Sequence, residues 1–124
     1  MGILMFLPQG TQDGERVREA IGRAVPGERA EVCPTVAALA ERLREPLDAS
    51  DVVVLLADTP ACLEELLGLG DLLDGARNVL LLPDGDEESI ARGHRLLPRV
   101  LLYGGDWPER LSAIVRKMLE GASG

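Results

Sequence analysis

DVVVLLADTP, residues Asp51 to Pro60, holds six consecutive apolar residues, Val52 to Ala57, followed by an aspartate and a Thr-Pro pair. Three adjacent β-branched valines favour extended backbone. A run with no polar alternation is the pattern of a strand covered on both faces, which places it in the interior of a parallel sheet. Thr59-Pro60 then reads as a helix start, with threonine as N-cap and proline at the first helical position, where its missing N–H costs nothing. Asp58 stands between the two elements. It is either a reactive carboxylate at the end of a strand or an acid favoured there by the dipole of the following helix.

Similar short apolar runs recur on either side. Ile3 to Leu7, Arg29 to Cys33, Val79 to Leu82 and Arg99 to Tyr103 read as strands. Longer amphipathic segments separate them. Asp13 to Ala24 carries Val17, Ala20, Ile21 and Ala24 at helical spacing, with Asp13 expected to cap it, and Pro26-Gly27 ends it. Thr35 caps a helix whose inner face is Val36, Leu39, Ala40 and Leu43, closed by Pro46. A third runs from Pro60 to about Gly68, with a looser Leu-rich turn through Leu72 and Leu73. Asp86, Glu87 and Glu88 open a short fourth, and Pro108 to Glu120 forms a last helix with Leu111, Ile114, Val115, Met118 and Leu119 inside.

Five strands alternating with five helices predict a three-layer α/β/α sandwich around a five-stranded parallel sheet. For an open sheet of this size we expect the flavodoxin-like order 2-1-3-4-5. Any site should then lie at the carboxyl ends of strands one and three, where the order reverses. The 124 residues fit a single domain spanning 1–124, with no repeat and no interdomain linker.

Composition narrows the function. With 46% hydrophobic but only 2% aromatic residues, the core must be aliphatic. A formal charge of −8 argues against nucleic-acid binding, which needs clustered Arg and Lys to neutralise phosphates. No apolar stretch approaches the roughly 20 residues that span a bilayer, and the start MGILMFLPQG reads as a strand rather than a signal peptide. A cytoplasmic location is expected. Cys33 and Cys62 match no metal spacing; they should be reduced thiols separated by strand one.

The chain resembles the receiver domains of two-component response regulators. The likeness spans its whole length in element order and is clearest in DVVVLLAD and in WPERLSAIVRKMLEG, residues 107–121. It implies a phosphoacceptor aspartate at the end of the third strand, falling on Asp58 or, one residue earlier, on Ala57. Phosphoryl transfer to that carboxylate would also need Mg²⁺, which prefers carboxylate and water oxygens. Receivers supply those acids after the first strand, where this chain has Phe6-Leu7-Pro8-Gln9. They carry a lysine after the fifth strand, but here the single lysine, Lys117, lies deep in the last helix and the strand runs into Tyr103-Gly104-Gly105-Asp106. The hydroxyl expected after the fourth strand falls near Leu82-Pro83, and the usual Met-Pro is replaced by Thr59-Pro60. The resemblance therefore implies a degenerate, or pseudo-, receiver with no catalytic residues, no metal and no cofactor, in which Asp58 is the one candidate phosphoacceptor.

Three further features bear on function. The loop PQGTQDGE, residues 8–15, places Gly10, Thr11 and Gly14 where flavodoxins bind a phosphate, so an anion, flavin or nucleotide site is one alternative. Acids gather on the expected site edge: Asp13, Asp58, Asp84, Asp86, Glu87, Glu88 and Asp106. Helix starts attract acids without any metal. Arg92, Arg95, Arg99, Tyr103, Trp107 and Arg110 combine the residue types enriched in interfaces, and receivers use this region to dimerise or to grip partners. The other reading is that Tyr103 and Trp107 seal the core edge. His94, the only histidine, has no carboxylate or thiol partner in sequence and reads as a surface or capping residue. The sequence thus favours a regulatory interaction module, binding a protein partner or a second copy, over a small-molecule binder or an atypical receiver phosphorylated on Asp58.

Overall fold

The computed structural model describes residues 2–27, 29–47, 51–73, 76–82, 86–104 and 107–123. Its strands are β1 (Gly2–Phe6), β2 (Arg29–Cys33), β3 (Val52–Leu56), β4 (Arg77–Leu82) and β5 (Val100–Tyr103). Its helices are α1 (Gln12–Ala24), α2 (Val36–Leu43), α3 (Pro60–Leu67), α4 (Gly70–Leu73), α5 (Glu87–Gly93) and α6 (Trp107–Ser123), with a 3-10 turn over His94–Leu96. All strand pairs are parallel, and the order is β2-β1-β3-β4-β5. This is the flavodoxin-like arrangement.

Alternation of side chains along each strand divides the core in two. Ile3, Met5, Val52, Val54, Leu56, Val79, Leu81 and Leu102 face α1 and α6, meeting Val17, Ile21, Leu111, Val115 and Leu119. Leu4, Phe6, Cys33, Val53, Leu55, Leu80 and Leu82 face the opposite layer, meeting Leu39 and Leu43 of α2, Leu63 and Leu66 of α3, Leu73 of α4 and Leu96. Every residue of β3 is buried, as its unbroken apolar run requires. Within the α1–α6 layer Ser112 Oγ donates to Ala20 O at 3.1 Å, and from sheet to helix Arg77 Nη1 donates to Met118 O at 2.8 Å.

The boundaries shift where caps compete. Asp13 does not cap α1. Thr11 does, its Oγ1 accepting from Gly14 N at 3.0 Å, so the helix starts one residue earlier, at Gln12. Thr35 and Thr59 cap α2 and α3 as expected. Helix α2 ends at Leu43, three residues short of Pro46, and the Leu-rich turn closes into the short helix α4. Strand β4 begins two residues before Val79 because the backbone of Arg77 and Asn78 pairs with that of Val52 and Val53.

Candidate functional site

The parallel order turns the loops after β1 and β3 to one edge, where the direction of winding reverses. Strand β3 delivers Ala57, whose N–H donates to Leu81 O at 3.0 Å, and then half-buried Asp58. Thr59 Oγ1 accepts from Cys62 N at 3.1 Å, so the cap of α3 is the threonine and not the aspartate. We therefore expect Thr59→Ala to cost about 1 kcal/mol of unfolding free energy and Asp58→Ala only about 0.3 kcal/mol, read from urea titrations of the two variants. Equal losses would mean that the carboxylate holds the turn.

Asp58 lines a cavity of about 100 Å³ with Thr59, Pro60, Leu63, Leu82, Asp86 and Ser89. Asp86 caps α5, accepting from Ser89 N at 3.0 Å, and the Ser89 hydroxyl and amide hold its carboxyl below the usual range. Cys62 stands on α3 beside Asp58. Burial first, and the Asp58 charge second, push its thiol up to about 11, so it is protonated at neutral pH and is a poor nucleophile. Burial likewise raises Cys33, and β1 separates β2, which carries Cys33, from β3, which leads to Cys62; both thiols are free.

At the neighbouring end of β1, Phe6 and Leu7 are buried in the core. Asp13, the first acid after them, lies in the opening turn of α1 and pairs with Arg16 at 3.7 Å. Glu87 and Glu88 are exposed on the first turn of α5, while Asp84 and Asp106 lie outside the described residues. Among the described residues no three His, Cys, Asp or Glu side chains come together as a metal site would require.

The loop Pro8–Thr11 lines a second cavity, of about 260 Å³, with Gly14, Glu15, Arg18 and Val32. Gly10 has φ +76°, a left-handed conformation that suits glycine. The Gly14 amide is already committed to Thr11, which itself donates to Pro8 O at 3.2 Å. The loop's turn chemistry thus occupies one of the backbone donors at the start of α1.

The aromatic and arginine set is not brought together as one exposed surface. Trp107 is 2% exposed and belongs to the core beside Leu111 and Val115, a correction to its placement at an interface. The physical reason is helical phase. Trp107, Leu111, Val115 and Leu119 recur every four residues and share the inward side of α6, and the sequence carries that stripe past Pro108 to the tryptophan. Arg92 is ion-paired with Glu64 of α3. Arg95 is exposed in the 3-10 turn leading into β5, at the opposite end of that strand from exposed Tyr103; Arg110 is exposed in the first turns of α6. His94 is exposed as the C-cap of α5.

No protein-family model matches the chain, and no curated protein does. Solved structures do. The signal receiver domain of a histidine kinase from Syntrophus aciditrophicus superposes with a TM-score of 0.68 at 15% identity, covering 98% of this chain and 92% of that one. The fold is that of a receiver domain. A CheY-like protein (tadZ) from Pseudomonas aeruginosa is similar at TM-score 0.64 and 13% identity, covering 96% of this chain and 94% of that one. A protein of Burkholderia pseudomallei named as pilus assembly-related is similar at 0.68 and 17%, covering 97% and 90%. Within the receiver fold, Asp58 lies two residues beyond the last residue of β3, and the end of β1 presents apolar side chains beside it.

Proposed function

We propose that this chain is a non-catalytic, receiver-like regulatory module of bacterial signalling that acts by binding a protein partner or a second copy of itself. The observation that carries the reading is the end of β1, where Phe6 and Leu7 are buried and the next acid, Asp13, is paired into α1. Asp58 consequently has no carboxylate from β1 with which to share a Mg²⁺ ion, and phosphoryl transfer depends on such a metal to neutralise developing charge. Lys117, the single lysine, is exposed on α6, ten residues beyond that helix's start. A receiver-fold protein named as pilus assembly-related is among the similar structures, which supports a role in an assembly. The free thiols suit a reducing compartment, and we place the module in the cytoplasm.

A specific observation favours a second reading. Ser89 lines the same cavity as Asp58, so a hydroxyl-bearing residue stands near the carboxylate, although its hydroxyl is bonded to Asp86 and it comes from α5 instead of the end of β4. One experiment separates the two. After incubation with acetyl phosphate and Mg²⁺, the intact mass of the wild type is expected to be unchanged. A gain of one phosphoryl group that disappears in Asp58→Asn would overturn the non-catalytic reading and establish an atypical receiver.

A further inference from the structure

The sheet has two open edges, and β2 is the less guarded of them. Arg29, Ala30 and Glu31 are all exposed, and α1 packs chiefly on α6 instead of covering this strand. Leu7 N donates to Cys33 O at 3.1 Å, which turns the backbone of Cys33 toward β1. Alternation along a strand then turns Glu31 and Arg29 the same way, and directs the N–H and C=O of Ala30 and Val32 outward, away from the sheet. An edge of this kind is a template for another strand.

The side chains on that edge are self-complementary. Arg29 and Glu31 share one face, where both line a cavity of about 180 Å³ with Arg42 of α2, whose Nε donates to Glu31 at 2.7 Å. Edge charges usually keep strands apart because like faces like. Arg-Ala-Glu behaves differently when it meets itself. If two copies of β2 pair antiparallel about a two-fold axis through Ala30, Ala30 lies opposite Ala30 and the two exchange both outward hydrogen bonds. Arg29 then faces Glu31 of the other copy on each side of the axis. These are the close, non-hydrogen-bonded positions of an antiparallel ladder, where opposite charges attract and like charges repel. The interface is isologous, as a closed dimer requires.

We propose that β2 is a self-association edge, pairing antiparallel with β2 of a second copy about Ala30 to give one continuous ten-stranded sheet. This pairing rests on the second-copy reading proposed above and gives it a surface; a chain that stays monomeric but binds another protein would sink the pairing and leave the regulatory reading standing.

Sedimentation equilibrium at physiological salt tests the proposal with three variants. Ala30→Pro removes an N–H that the sheet does not use, and edge strands accept proline at such positions; it should keep its circular dichroism while its dimer dissociation constant rises at least about tenfold. Arg29→Glu and Glu31→Arg each set like charges opposite one another and should also be monomeric alone. Mixed in equal amounts, they restore attraction at both facing pairs and a heterodimer should form, because the first variant carries acids at positions 29 and 31 and the second carries arginines at both. A wild type that stays monomeric at millimolar concentration overturns the proposal, as does a dimer that survives either Ala30→Pro or Arg29→Glu. A mixture of the two charge variants that stays monomeric overturns the register about Ala30.

Discussion

Replacing Trp107 by alanine should lower the unfolding free energy by about 3–5 kcal/mol, the usual cost of emptying a large aromatic site in a core. The ring is 2% exposed and closes the carboxyl end of the layer formed by α1, α6 and one face of the sheet. Little in the surroundings can collapse into the space it leaves, since Leu81, Leu102, Leu111 and Val115 are themselves fully buried and packed against one another. A domain of this size commonly has about 5–15 kcal/mol in total, so the variant would sit near the limit of folding. Urea unfolding followed by far-ultraviolet circular dichroism is the appropriate readout, because the substitution removes the chain's single tryptophan and its fluorescence. A loss under about 0.5 kcal/mol would be the behaviour of a surface side chain.

The second large effect concerns Gly93, at the end of α5. A Cβ built there would lie 2.8 Å from Leu80 Cδ2, 3.0 Å from Leu101 Cδ1 and 3.3 Å from Leu82 Cδ1. Those methyl groups belong to side chains packed under the helix, and Leu80 and Leu82 are buried in the sheet, so they can yield only by disturbing their own neighbours. Gly93→Val should therefore cost about 2 kcal/mol through overpacking, and α5 should be lifted from β4. Gly93→Ala should cost much less. Its smaller group meets the same methyls, but replacing glycine by alanine in a helix returns up to about 1 kcal/mol. Melting curves of the two variants test this: a Gly93→Val loss as small as that of Gly93→Ala would mean that the leucine methyls move aside and that the close approach of helix to sheet does not select glycine. This glycine has an ordinary helical φ of −61°, which leaves packing as its reason.

Much of this architecture was legible because the physics behind it is local. Val52 to Leu56 could only be an interior strand, since no alternation offers water a face. The threonine caps before α2 and α3 were legible for the same reason. The cap of α1 was not: Asp13 and Thr11 are both good caps, and the choice between them depends on how the chain leaves β1, where Thr11 also reaches Pro8 O. For Trp107, residue type points to an interface, whereas the four-residue spacing through Leu111, Val115 and Leu119 puts it inside. For the site, the sequence located Asp58 and the apolar end of β1. It could not show that Ser89, thirty-one residues away in sequence, would line the same cavity, since that requires α5 to fold back beside α3.

The position of β1 in the sheet also governs how the chain can be cut or assembled. Strand β1 lies between β2 and β3, and among the described residues it is the only strand to which β2 is bonded. Deleting β5 would trim an edge and leave a four-stranded sheet in register. Deleting β1 would separate β2 from β3-β4-β5 and open both core layers at once. The first strand therefore acts as the keystone on which two crossover connections close. Pairings of such sequence separation pay for their loops before any contact repays them. Folding should accordingly await the meeting of β1 with β3, and a fragment that begins after β1 should stay unfolded until that strand is supplied as a separate peptide.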